Sequence, residues 1–433
     1  MKLHLILTAI CATLFFAPGV EAQERTISTN TEYLQATPTP TPAVRIVKKR
    51  IVPAATATPA ARVTPATRVS VARVTPVVRV IPTQAVPTPI PVSIKPEELN
   101  NLVDFIAGLP VTSGTLATLE KQPEWIAYAN SMNSRWKRFD TGRLQPIRLW
   151  TDKELAHAST QRLFYPFSGP DYIYAATMFP NASTYILCGL EPVGDVPSME
   201  KLQPLDATLG WLQASMKTLI DAGYFVTKDM SVELKMSPLQ GTLPLMCVML
   251  ARSGARITSI SRDATHAEIH FVAASGGGER TLHYFSADLS NAGMGKRSAF
   301  LNFLRQARPD AVYVKSASYL MHEEEFSAVR NYLLTQCSTI VQDDSGIPLR
   351  YFDTRRWGLH LYGAYTAPLD IFAKYYQQDM ADLYAKTTVV PLTFGAGYHW
   401  DPKTATLIVA TAHAMKAPVQ DAPPAKSASN THR

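Results

Sequence analysis

Leu163–Gly194, LFYPFSGPDYIYAATMFPNASTYILCGLEPVG, is the stretch that decides the fold. Two short apolar runs bounded by Pro and Gly flank a Ser168-Gly169-Pro170-Asp171 turn and an amphipathic piece. Apolar runs of this length between turn signals read as buried strands, so the order is strand, turn, helix, strand. Strands joined through a helix pair in parallel, and parallel sheets need helices on both faces.

Outward from this stretch the alternation recurs. Leu205, Leu209, Leu212, Met216 and Leu219 define an amphipathic helix, and a second follows Pro244. Ala255–Arg262, His266–Ala273 and Arg280–Ala287 are strand-like, the last two joined through Ser275-Gly276-Gly277-Gly278 as an antiparallel hairpin. Ser298–Ala307 reads as helix, Ala311–Lys315 as strand, Glu323–Thr335 as helix and Ser338–Gln342 as strand, which makes a second βαβ unit. Trp357–Tyr365, Val389–Phe394 and Thr406–Thr411 add strands around a helix near Asp370–Tyr384. On the N-terminal side, Leu99, Leu102, Val103 and Ile106, then Trp125, Ala129, Met132 and Trp136, repeat at helical spacing. Residues 96–150 are therefore a helical lead-in, and 96–413 is expected to be one large α/β domain. Its sheet should be mixed and Rossmann-like, with helices on both faces.

Residues 1–22, with Lys2, an apolar run from Leu5 to Phe16 and Val20-Glu21-Ala22 before Gln23, carry the pattern of a secretory signal peptide. The expectation is an exported, periplasmic or extracellular protein. Residues 23–95 form a Pro, Thr and Val-rich linker in which Arg62, Arg68, Arg73 and Arg79 recur. Proline this frequent blocks helix and sheet, so the segment should be disordered and extended, with a reach on the order of 200 Å. It holds ten Lys and Arg against two Glu, while the whole chain carries a net charge of +7. The remainder is close to neutral, which gives no support for nucleic-acid binding. The linker itself suits anionic cell-envelope polymers or lipid headgroups. Residues 414–433 read as a disordered polar tail. Beyond residue 22 the longest apolar run, Leu243–Ala251, is too short to cross a bilayer, so no transmembrane segment is expected. Cys188, Cys247 and Cys337 sit in apolar contexts, as buried hydrophobes do.

In an open α/β sheet ligands bind beyond the carboxyl ends of the strands. The first unit places Ser168, Gly169 and Asp171 there, and its second strand is expected to end at Glu191. A lone glycine and an acid at the helix start do not make a dinucleotide fingerprint, so no cofactor is expected. The second unit places Lys315, Ser316, Ser318 and His322 after one strand, and Asp343, Asp344, Ser345 and Arg350 after the next. In the enzymatic interpretation Asp343 or Asp344 acts as a base or binds a sugar or amine, His322 and Lys315 complete the catalytic set with Lys315 holding an anionic group, and Ser316 or Ser345 donates hydrogen bonds. In the structural interpretation Asp-Asp-Ser-Gly is turn chemistry. His266, Glu268 and His270 alternate on one strand and share a face, as a zinc set would. An ordinary half-exposed strand, with Ala267, Ile269 and Phe271 inward and the polar residues in water, accounts for the same pattern, and no metal is expected.

Tyr165-Pro-Phe-Ser-Gly-Pro-Asp171, Gly189-Leu-Glu-Pro192 and Asp343-Asp-Ser-Gly-Ile-Pro348 resemble segments of an uncharacterised family of exported bacterial proteins. The resemblance covers most of 150–395 and implies export without implying an activity. Two functions remain open at this point. One is an envelope hydrolase acting on a small polar or saccharide-type substrate; the other is a non-catalytic ligand-binding or scaffold protein tethered by its linker.

Overall fold

The computed structural model describes residues 89–156, 160–224, 234, 239–296 and 298–413. The expected signal peptide, the C-terminal tail and the linker up to residue 88 lie outside these residues. Ten strands make one sheet: β1 (Ile90–Pro91), β2 (Arg162–Tyr165), β3 (Thr184–Gly189), β4 (Arg256–Arg262), β5 (His266–Val272), β6 (Arg280–Ser286), β7 (Ala311–Val314), β8 (Thr339–Gln342), β9 (Trp357–Gly363) and β10 (Thr406–Ala412). Their spatial order is β1-β4-β5-β6-β3-β2-β7-β8-β10-β9. The five central strands, β6-β3-β2-β7-β8, are parallel. Numbered along the chain, they run 3-2-1-4-5, the doubly wound Rossmann-like order whose direction reverses between the first and fourth strands, here β2 and β7. Antiparallel β4-β5 extends one edge and the β10-β9 pair the other.

Eleven helices among the described residues cover the sheet. The lead-in supplies α1 (Pro96–Ile106), α2 (Thr115–Leu119), α3 (Pro123–Phe139) and α4 (Gln145–Glu154), followed by α5 (Tyr172–Met178), α6 (Leu205–Ala222) and α7 (Leu243–Arg252). Further on come α8 (Asn291–Lys296), α9 (Ser298–Ala307), α10 (Ser327–Gln336) and α11 (Gln378–Lys386). Because side chains alternate along a strand, Leu163, Tyr165, Tyr185 and Leu187 pack in the core that holds α1 and α3 to α7. Phe164, Ile186 and Cys188 pack on the other face with Phe300, Leu304, Val329 and Leu333 of α9 and α10. Helix α7 is buried on every side, as its uninterrupted apolar sequence requires. Cys188, Cys247 and Cys337 are all buried, and burial raises the thiols of Cys247 and Cys337 to about 12. Among the described residues no helix is long and apolar enough to cross a membrane.

Several expectations are corrected. Residues 89–95 belong with the domain rather than the linker: Ile90 and Pro91 pair with Arg262 and Ser261, and the Val92 amide donates to the Ile260 carbonyl. Val389–Phe394 is not a strand but makes a single bridge, Tyr362 to Val390, because Pro391 lacks the amide a ladder needs. The expected helix near Asp370–Tyr384 is a 3-10 turn, Asp370–Tyr375, followed by α11. It breaks where Gln377 turns inward, its amide donating to Tyr365 Oη and its side-chain oxygen accepting from the Leu349 amide. On β5, His266 is 4% exposed rather than in water, since Phe285 and Phe303 cover its ring.

Candidate active site

The loops after β2, β3, β7 and β8 meet at one edge of the sheet. At the reversal point Asp171 caps α5, accepting from the Tyr174 amide at 3.4 Å, and its other oxygen accepts from Tyr165 Oη at 2.9 Å and meets Lys315 Nζ at 2.8 Å. Burial raises the Asp171 carboxyl, and the lysine pulls it back down. The Lys315 ammonium also donates to the Gly223 carbonyl and lies 3.8 Å from the centre of the Tyr174 ring. A charge pair this well satisfied clamps β2 to β7. It leaves Lys315 no spare donor for the anion-binding role expected of it.

Ser168 ties the same loop to β3, with its hydroxyl accepting from the Cys188 amide at 3.1 Å and donating to the Gly169 carbonyl. Glu191 is 0% exposed, two residues beyond the end of β3 rather than at it. Its carboxylate lies over Gly169 and Gly189, so close that a Cβ on Gly189 would stand 2.2 Å from Oε2. Tyr284 Oη donates to the Glu191 backbone carbonyl and faces Oε2 at 3.3 Å. A dinucleotide does not fit this crevice as built. Its phosphates would meet the Asp171 carboxylate at the start of α5, and the space beside Gly169 holds the chain's own glutamate.

The loops after β7 and β8 are stitched together by Asp343. Its Oδ1 accepts from the Ser345 amide (2.8 Å) and hydroxyl (2.5 Å), and its Oδ2 from the Ser316 amide (2.7 Å). Gly397 packs against the same carboxylate at a φ of +59°, where a Cβ would be 1.9 Å from Oδ2. Burial and the neighbouring Asp344 charge push the Asp343 carboxyl up to about 6, against the pull of these hydrogen bonds. The Ser345 hydroxyl also accepts from the Ala317 amide, completing the turn.

Asp344 is held differently. Its Oδ2 accepts a 2.5 Å hydrogen bond from Tyr319 Oη and faces His399 Nε2 at 3.8 Å, while its buried Oδ1 has no hydrogen-bond partner among the described residues. The contact with Asp344 raises the His399 imidazole above its ordinary value. Ser316, Ser318 and Tyr319 all have positive φ, at 52°, 51° and 55°, a costly run for residues other than glycine. Tyr398 Oη holds that strained loop through the Ser316 carbonyl and the Ser318 amide and hydroxyl. His322 stacks edge-on to Tyr319 and Tyr375, its buried Nε2 has no hydrogen-bond partner among the described residues, and burial lowers the imidazole to about 4. Arg350 is exposed and lies over the Tyr351 ring, and its charge adds to the burial that lowers the His322 imidazole.

Sequence reasoning missed Tyr319, Tyr398 and His399. The available signal was Gly395-Ala-Gly-Tyr-His-Trp400, where two glycines flank aromatic residues in a segment with no helical or strand period. Trp400, 55% exposed, also borders a cleft of about 460 Å³ lined by Arg135, Arg138, Arg143, Asp221 and Gly395.

No family model matches the chain, and no curated protein matches it. Among solved structures, the plantazolicin methyltransferase BpumL in complex with SAH is similar at 9% identity and a TM-score of 0.23, with 73% of this chain and 95% of that chain covered. The Rossmann-like assignment rests on the strand order, and a likeness this distant says nothing of activity.

Proposed function

We propose that the protein is an exported envelope hydrolase acting on a small polar or saccharide-type substrate, with Asp344 and His399 at its centre. The observation that carries the reading is the unpartnered Oδ1 of a buried aspartate whose other oxygen is fixed by Tyr319 and faces a histidine. In this reading Oδ1 takes a proton from an attacking water. His399, its proton held more tightly beside Asp344, gives one to the leaving group, so both protons are accounted for. Trp400 and the arginines of the adjoining cleft offer an apolar platform and positive charge, which suit a sugar bearing an acidic group. Export and adhesion through the basic linker to anionic polymers or headgroups rest on the sequence pattern.

The test is turnover of a panel of p-nitrophenyl glycosides, glucuronides and esters. Asp344→Asn and His399→Gln should each lower turnover at least about 100-fold with the fold retained, and Trp400→Ala should raise KM more than it lowers kcat. Equal turnover in Asp344→Asn would remove the proposal. A non-catalytic ligand-binding or scaffold role is the second reading, favoured by the full burial of the Asp344 side chain. It expects no turnover across the panel. Deleting residues 23–88 should release the protein from envelope fractions, and unchanged fractionation would contradict adhesion.

A further inference from the structure

Away from that edge, β5 and β6 carry a second polar group. Glu268 pairs directly with His283 across the two strands, and His266 stands two residues from Glu268, so all three project from one face. His266 Nε2 and His283 Nδ1 are 3.1 Å apart, His283 Nδ1 and Glu268 Oε2 are 3.9 Å apart, and one donor atom from each residue falls within 4.8 Å of the others. The set that alternation along β5 brings together, and that the sequence did not support as a metal site, used His270; the register puts His283 in its place. His270 Nε2 instead donates to Glu268 Oε1, 2.7 Å away, and its other nitrogen faces Glu279 at 3.4 Å.

We infer that His266, Glu268 and His283 form a binding site for a divalent cation of the zinc class. Two imidazoles and a carboxylate are the donor set that zinc accepts with a fourth position left for water. Donors about 2.0–2.1 Å from a tetrahedral ion lie about 3.3 Å from one another, so the imidazoles need to part by only a few tenths of an ångström. Glu268 closes the remaining gap by rotating its side chain. The imidazoles are fixed beforehand: His266 stacks on Phe285 at 4.0 Å with the rings 8° from parallel, and Phe303 packs edge-on to His283. Both strands lie inside the sheet, β5 between β4 and β6 and β6 between β5 and β3, so the donors stand on a rigid frame. The ion takes the place of the proton shared by the two imidazoles. The His270 and Glu279 contacts orient the carboxylate as outer partners of a metal ligand do.

The experiment is metal analysis of the full chain purified without chelator, followed by zinc titration against a chromophoric chelator and cobalt substitution. One equivalent of zinc, and a cobalt spectrum of four-coordinate nitrogen and oxygen type, are expected. His283→Gln and Glu268→Gln should each lose the equivalent while keeping the wild-type circular dichroism, and His270→Ala should weaken binding about 10- to 100-fold. Failure of the wild type to take up stoichiometric zinc overturns the site. So does undiminished uptake in folded His283→Gln, which would place the metal elsewhere. If His283→Gln does not fold, Glu268→Gln, at a partly exposed residue, decides alone.

Discussion

At the reversal point and beyond β8, two loops of the same sheet edge bury their carboxylates, yet they treat them in opposite ways. Asp171 has both oxygens engaged, by a backbone amide, a tyrosine hydroxyl and the Lys315 ammonium. Asp344 keeps one oxygen without a hydrogen-bond partner, beside a histidine, under a loop of three residues at positive φ. Burial and an acidic side chain are common to both, so neither separates structure from chemistry. What differs is the unused hydrogen-bonding capacity, which costs stability and is the kind of strain that functional sites retain.

The sharpest way to break the contrast is to remove Lys315. Lys315→Ala leaves Asp171 buried and unpaired, and should cost about 3–5 kcal/mol in denaturant unfolding. A loss under about 1 kcal/mol would mean that Asp171 is as free as Asp344. A smaller effect is expected with pH. Burial lowers His266 to about 4, His283 to about 3 and His322 to about 4, so between pH 4 and 6.5 the unfolded chain binds protons that the folded chain does not. Asp343, raised to about 6, does the reverse and lets stability fall as pH rises through the same window. Asp171, also raised by burial, opposes the histidines as Asp343 does, so three groups outweigh two and stability should rise with pH there, at about 1.4 kcal/mol per pH unit for each net proton. Asp343→Asn should steepen that rise, and a flat profile would contradict the buried neutral histidines.

His399 gives a finer test. In Asp344→Asn its imidazole should titrate closer to the ordinary 6.5 in a proton NMR series. Its stabilising share is present below that value and disappears as pH rises through the folded pKa. An unmoved His399 would break the Asp344 contact. Smallest of all, Arg350→Ala should change stability by less than about 0.5 kcal/mol, since the side chain is exposed.

The layering was legible because apolar runs such as Tyr185–Cys188 and Val312–Val314 are buried on both faces, and only a parallel sheet under two helical layers does that. The loops beyond those strands could therefore be placed on one edge from sequence. Roles within them could not. Asp343 and Asp344 are neighbours with the same side chain, and what divides them is which backbone amides turn toward each. His399 lies 55 residues from Asp344 on a segment without periodicity, so nothing local pairs them. The His266 cluster was half legible: alternation placed two donors, but His283 arrives through strand register, which local sequence does not state.

The most direct test compares Asp343→Asn and Asp344→Asn by chemical denaturation at pH 7. Asp343→Asn should lose about 2–3 kcal/mol, because an amide cannot accept from every donor facing the carboxylate, whereas Asp344→Asn should stay within about 1 kcal/mol of the wild type. Equal losses in the two variants would make Asp344 another structural turn residue and remove the proposed centre.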